Sequence, residues 1–181
     1  LYMGPRNADY VANRYRAEIL VDGIANRLLP FVGPNTIWDK SLAPKGKHII
    51  GVEEFSAPVR FFSPSKWEQL RNEFASAIVK EWQLYAPNMT SDNVIASRVA
   101  TPYDISSRHI NMHEGSIACG DVIASQEDRF RPIPELSDYR TPIKNFYLCS
   151  SAAHPGVGTA RGSSYCCYQT IAKDFRLKKV G

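Results

Sequence analysis

NFYLCSSAAHPGVGTARGSSYCCYQTIAKD, residues Asn145–Asp174, places a short apolar strand (Phe146–Ser150), a glycine-rich turn and a helix (Ser163–Phe175) in immediate succession. That order brings the N-terminus of a helix close to whatever occupies the turn. Unpaired N–H groups and the positive end of the helix dipole then favour a phosphate or an electron-rich oxygen. Small residues at Ser150, Ser151, Gly156, Gly158 and Gly162 let the backbone approach a ligand with no side chain intervening. A purely structural turn with no ligand is the alternative reading of the same residues.

Upstream, the strongest periodic signal runs from Ser65 to Tyr85, where Trp67, Leu70, Phe74, Ile78, Val79 and Trp82 recur every three or four residues. This draws one apolar stripe down a helix, started near Ser65 and stopped by Pro87. Lys47–Phe55, Val59–Phe62 and Asn93–Ala100 read as strands, and Gly23, Pro30, Gly33 and Pro34 break Ile19–Pro34 into short segments. From Ser106 to Pro134 no period is visible, which predicts a long functional loop or several short strands. The mixture of helices and strands predicts an α/β (mixed α+β) fold.

A length of 181 residues, 44% hydrophobic and 22% charged, suits a folded domain rather than a disordered chain. The net charge of +4 is too small and too dispersed to point to nucleic acid, and the basic cluster Arg176, Lys178 and Lys179 reads as a solvated helix end. No apolar run is long enough to span a bilayer and the first residues lack a signal-peptide pattern, so a cytoplasmic or at most membrane-peripheral chain is expected. Cys119, Cys149, Cys166 and Cys167 form no CxxC, which favours reduced thiols over zinc or a disulfide framework. His109 and His113 are spaced for one helix face, but their Ser- and Gly-containing surroundings argue against a helix there, and no metal site is predicted.

The run YLCSSAAHPGVGTARG resembles the C-terminal FAD signature of the phytoene-dehydrogenase-like (carotenoid desaturase-like) flavoproteins: a strand, small residues, then His-Pro-Gly and further glycines. A second stretch, HEGSIACGDVIASQEDRFRP, is similar to the same family's segment before the final strand through Gly115, Gln126 and Arg131-Pro132. Tyr85-Ala86-Pro87 and Thr101-Pro102-Tyr103-Asp104 extend the likeness over roughly Lys66–Asp174. The resemblance implies that Ser150, Ser151, His154, Pro155, Gly156, Gly158 and Thr159 line FAD, with His154 as the candidate catalytic residue. Where relatives carry further glycines this chain has Arg161, Ser164, Tyr165 and Cys166-Cys167, which suit a smaller or more polar substrate.

The resemblance further implies the C-terminal part of a two-domain flavoprotein, with residues 1–135 belonging to the substrate domain and 136–181 supplying the last strand, turn and helix of the FAD domain. No GxGxxG follows a strand in the chain, so a partner chain or fragment carrying that motif is expected to hold the pyrophosphate. The implied reaction is hydride removal from a C–H bond of a small organic substrate, by desaturation or by alcohol or amine oxidation. The alternatives are a non-catalytic interaction subunit that retains a flavoprotein fold and a free-standing binding domain. On sequence, Arg131 fits both a ligand-gripping fork and a brace for the loop backbone. Asp121 and Asp128 fit hydrogen bonding to a ligand as well as simple solvation, and Cys166 and Cys167 fit packing as well as redox chemistry.

Overall fold

The computed structural model of the chain describes residues 4, 7–121, 123–156 and 160–178, the side chains of 160 and 161 excepted. It consists of helices and one small two-stranded sheet, a mixed α/β fold, in two compact units, Leu1–Asp104 and Ile105–Gly181.

In the first unit, α1 (Ala8–Tyr10), a π-helical stretch (Val11–Tyr15) and α2 (Arg16–Asp22) follow one another directly. Gly23 ends α2 in the left-handed region, at φ 88°, and faces Leu70; a Cβ there would meet Leu70 Cδ1 at 2.5 Å. The main helix is α3 (Pro64–Gln83). Ser63 rather than Ser65 caps it by accepting the Lys66 N–H, and Pro64 at its first position carries no N–H in need of a partner. The predicted stripe buries its first members, Trp67, Leu70 and Phe74, against Tyr15, Ile19, Ala25, Leu28 and Ala57. Trp67 also donates from Nε1 to the Val59 carbonyl (3.1 Å) and meets the Phe62 ring edge-on at 5.4 Å.

The last turns of α3 are less apolar than the stripe suggested. Ile78, Val79 and Trp82 are half-buried, whereas Glu81 is buried and held by both arms of the Arg27 fork at 2.9 and 2.7 Å. A half-buried acid, Glu54, accepts from the Tyr15 hydroxyl and from the Leu29 N–H (2.8 Å). Burial pushes the Glu54 carboxyl above its ordinary range despite those donors.

The strand expectations need correction. Of Lys47–Phe55 only β2 (Gly51–Glu53) pairs, antiparallel to β1 (Phe31–Gly33) with Val32 opposite Val52. Val59–Phe61 is a 3-10 turn, set up by Pro58 and held by the Phe61 N–H on the Pro58 carbonyl (3.1 Å). Asn93–Ala100 has no regular structure and leaves Ile95 exposed; a β-branched run gains little as a strand without a neighbouring strand to pack and bond with.

Thr101-Pro102-Tyr103-Asp104 opens α4 (Pro102–Arg108). The Asp104 carboxylate accepts from the Thr101 N–H (2.8 Å) and hydroxyl (2.7 Å) and from Arg71 (2.8 Å). Burial pushes its pKa up, but these donors outweigh that and hold it below the ordinary carboxylate value.

In the second unit, the described residues of Ser106–Pro134 form the end of α4 and a chain of single 3-10 turns rather than strands. The expected buried strand Phe146–Ser150 makes only one antiparallel bridge, Tyr147 to Arg140, with Phe146, Cys149 and Ser150 exposed. Two short arms cannot bury both faces of a strand. The last helix, α5 (Ala160–Asp174), starts three residues before its predicted position. Its Cys167 packs in a small core with Tyr139 and Ala153, and its Asp174 takes both arms of Arg140 (2.9 and 2.7 Å) and the Tyr147 hydroxyl (2.8 Å). No helix among the described residues is long and apolar enough to cross a membrane.

Trp67→Ala removes the largest fully buried side chain and is expected to cost about 3–5 kcal/mol, read as a lower urea midpoint for unfolding of the first unit. Because the folded-state pKa of Asp104 lies below its unfolded value, its contribution is present above the ordinary carboxylate range and is lost as pH falls through the lowered pKa. An acid titration of stability should therefore be shallower in Asp104→Asn than in the parent chain.

Candidate functional site

The glycine turn is built from short local hydrogen bonds. Ser150 accepts the Ala152 N–H on its hydroxyl (3.1 Å) and the Ala153 N–H on its carbonyl (3.0 Å), and the Gly156 N–H closes onto the Ala153 carbonyl (2.8 Å). Gly156 has φ 87°, a conformation that disfavours a side chain.

Arg131 fixes this turn to the preceding loop. Its guanidinium donates from Nε to the Ser151 carbonyl (2.9 Å), from Nη1 to those of Asp121 (2.9 Å) and Gln126 (3.3 Å), and from Nη2 to that of Ala118 (2.7 Å). Arg131 is only 3% exposed, and Gly156 lies directly against it: a Cβ at Gly156 would come within 3.1 Å of Nε. Of the two roles open on sequence, the side chain performs the bracing one. Gln126 supports the same loop by donating to the Phe130 and Pro132 carbonyls, both at 3.4 Å. The Tyr139 hydroxyl reaches the turn from the other side and donates to the His154 carbonyl (3.0 Å).

Between loop and turn lies a cavity of about 400 Å³, lined by Gln126, Glu127, Asp128, Arg131, His154, Pro155 and Gly156. The two stretches singled out in the sequence therefore share one depression. Among the expected site residues, His154, Pro155 and Gly156 line it. Ser150 and Ser151 sit at the start of the turn and shape its backbone, while Gly158 and Thr159 lie outside the described residues.

His154 Nδ1 is buried and makes no hydrogen bond, with an Asp128 carboxylate oxygen 3.9 Å away. A buried polar nitrogen without a partner is costly, and a ligand group in the cavity could satisfy it. Asp128 is otherwise well exposed, and Asp121 contributes its carbonyl to Arg131. Glu127 and Tyr139 carried no signal in the sequence: one is a single loop acid and the other an isolated aromatic whose role depends on a backbone carbonyl 15 residues away. His109 and His113 do not share a helix, since α4 ends at Arg108 and His113 begins a separate 3-10 turn. No group of three or more potential metal ligands gathers among the described residues.

No protein-family model matches the chain, and no solved structure does. Curated proteins do match. The chain is 31% identical over 139 residues to pyridine nucleotide-disulfide oxidoreductase domain-containing protein 2 of Mus musculus, covering 76% of this chain and 24% of that protein. It is 36% identical over 161 residues to the lycopene-forming phytoene desaturase of a Paracoccus species, covering 87% of this chain and 30% of the desaturase. The chain is homologous to oxidoreductases. A limonene dehydrogenase subunit of Castellaniella defragrans is a further relative, 25% identical over 111 residues, which are 61% of this chain and 20% of that protein. The chain thus spans between a fifth and a third of the length of these relatives.

Arg131→Lys keeps the charge but loses the planar fork, so fewer of the four carbonyls can be satisfied at once. A loss of about 2–4 kcal/mol is expected in the second unit, with faster amide hydrogen exchange at Ala153 and Gly156, whose N–H groups close the turn.

Proposed function

We propose that the chain is the C-terminal part of an FAD-dependent oxidoreductase that removes a hydride from a C–H bond of a small organic substrate. Residues 136–181 close over the cofactor and residues 1–135 belong to the substrate domain. The observation that carries this reading is Arg131, which joins the two flavoprotein-like stretches into one cavity.

The residues at the cavity fit an electron-rich, planar group. Arg131 is buried and among the described residues is bonded only to backbone carbonyls, so no carboxylate pairs with it directly. That charge favours negative charge nearby, as an oxyanion hole does once a partner excludes water. Gly156 keeps the wall thin, and His154 offers a nitrogen free to take a proton from, or share one with, a bound group. Ser150, Ser151, Pro155, Gly158 and Thr159 complete the lining in this reading. FAD, when bound, supplies the hydride-accepting ring. The protein positions that ring and stabilises the charge it acquires.

A partner carrying GxGxxG holds the pyrophosphate and completes the site. Exposed Ile95 and Ile110, at 75% and 96%, are apolar groups that such a partner would cover. The assembly works in the cytoplasm or at a membrane surface. Desaturation and alcohol or amine oxidation remain two versions of the same chemistry.

The test is the visible absorbance of natively purified protein, together with intact masses of every chain present. Flavin bands and a co-purifying chain with GxGxxG are expected, and Gly156→Ala should lower the flavin content per chain. Colourless material containing this chain alone would reject the flavin reading in favour of a non-catalytic interaction subunit.

A further inference from the structure

We propose that the loop of residues 35–49 docks on an anionic phospholipid bilayer, with Trp38 entering the interface and Lys40, Lys45 and Lys47 against the headgroups.

The loop leaves β1 and returns to β2 through three tight turns. The Ile37 and Trp38 N–H groups close the first on the carbonyls of Pro34 (3.0 Å) and Asn35 (3.1 Å). Asp39 caps the second, its carboxylate accepting the Ser41 N–H (2.9 Å) and hydroxyl (2.6 Å). The Lys47 N–H closes the third on the Pro44 carbonyl (2.9 Å), with Gly46 at φ 78° between two lysines. Thr36 is buried and its hydroxyl oxygen lies 3.0 Å from His48 Nδ1, a contact that ties the two ends of the loop together. With Thr36 turned in, its neighbours are left out: Ile37 and Trp38 are 64% and 87% exposed, and Leu42 and Ile49 are exposed as well.

Apolar exposure alone does not name an occupant, but the charges around it do. Lys40, Lys45 and Lys47 are exposed and make no ion pair among the described residues. The loop holds one acid against these three lysines, and that acid, Asp39, is engaged by Ser41. Protein interfaces are depleted in lysine, whose compact ammonium holds its water strongly. A membrane surface suits both kinds of side chain. The indole of a tryptophan sits at headgroup level with its ring in the apolar boundary, while lysine stems lie along that boundary and their ammonium groups reach the anionic headgroups. The inference stands apart from the flavin reading: colourless protein that binds such vesicles would reject that reading and keep this one.

The experiment sediments natively purified protein with vesicles made of equal parts phosphatidylcholine and phosphatidylserine, and follows tryptophan emission in the same samples. Trp67 is fully buried and Trp82 half-buried, so a blue shift on binding, with quenching by brominated lipid, reports on Trp38. Both signals should be absent from Trp38→Phe. Replacing all three lysines by glutamine should lower vesicle affinity about a hundredfold, and added salt should weaken binding of the parent. These positions are exposed, so the variant should keep the circular dichroism of the parent. No sedimentation with the anionic vesicles, equal binding to pure phosphatidylcholine, or binding that survives the lysine substitutions would overturn the proposal. So would a Trp38 already blue-shifted and shielded from acrylamide without vesicles, which would show a protein chain over the loop.

Discussion

The candidate site depends on one buried cation bonded to backbone. The Arg131 guanidinium gathers carbonyls from Ala118, Asp121, Gln126 and Ser151, segments that no regular sheet or helix would otherwise hold together. Loops of this length carry many polar backbone groups, and burying them without partners would be prohibitive. A planar donor with five N–H groups meets that demand from a single position. Its cost is a charge kept from water, which the same four carbonyls offset. Scaffold and candidate site share this one interaction, since Arg131 also lines the cavity.

The first unit solves a similar problem by different means. Arg27 on Glu81, Tyr15 on Glu54 and Arg71 on Asp104 pair buried or half-buried acids around an apolar core centred on Trp67, Leu70 and Phe74. Polar groups are tolerated there because each acid has more than one donor.

The main helix was legible because its signal is local: apolar spacing from Trp67 to Phe74, and Pro87 beyond the end. The helix after the glycine turn was legible for the same reason. The strands were not, because strand pairing is a property of neighbours: Val59–Phe62 and Asn93–Ala100 have strand-like composition but no partner strand among the described residues. At the site, His154, Pro155 and Gly156 stood out through a motif, and Arg131 through its place before Pro132. Which of its two roles Arg131 takes was hidden, since its partners are carbonyls, a group every residue carries. Tyr139 was invisible for that reason too, acting on the carbonyl of His154.

The most direct measurement is an experimental structure of the natively purified assembly with its bound cofactor. The account predicts an isoalloxazine ring in contact with the turn that begins at Ser150, with Arg131 behind Gly156 and His154 Nδ1 facing the cofactor or a substrate against it. A flavin that contacts neither the turn nor His154, or an assembly in which another protein segment fills that cavity, would contradict it.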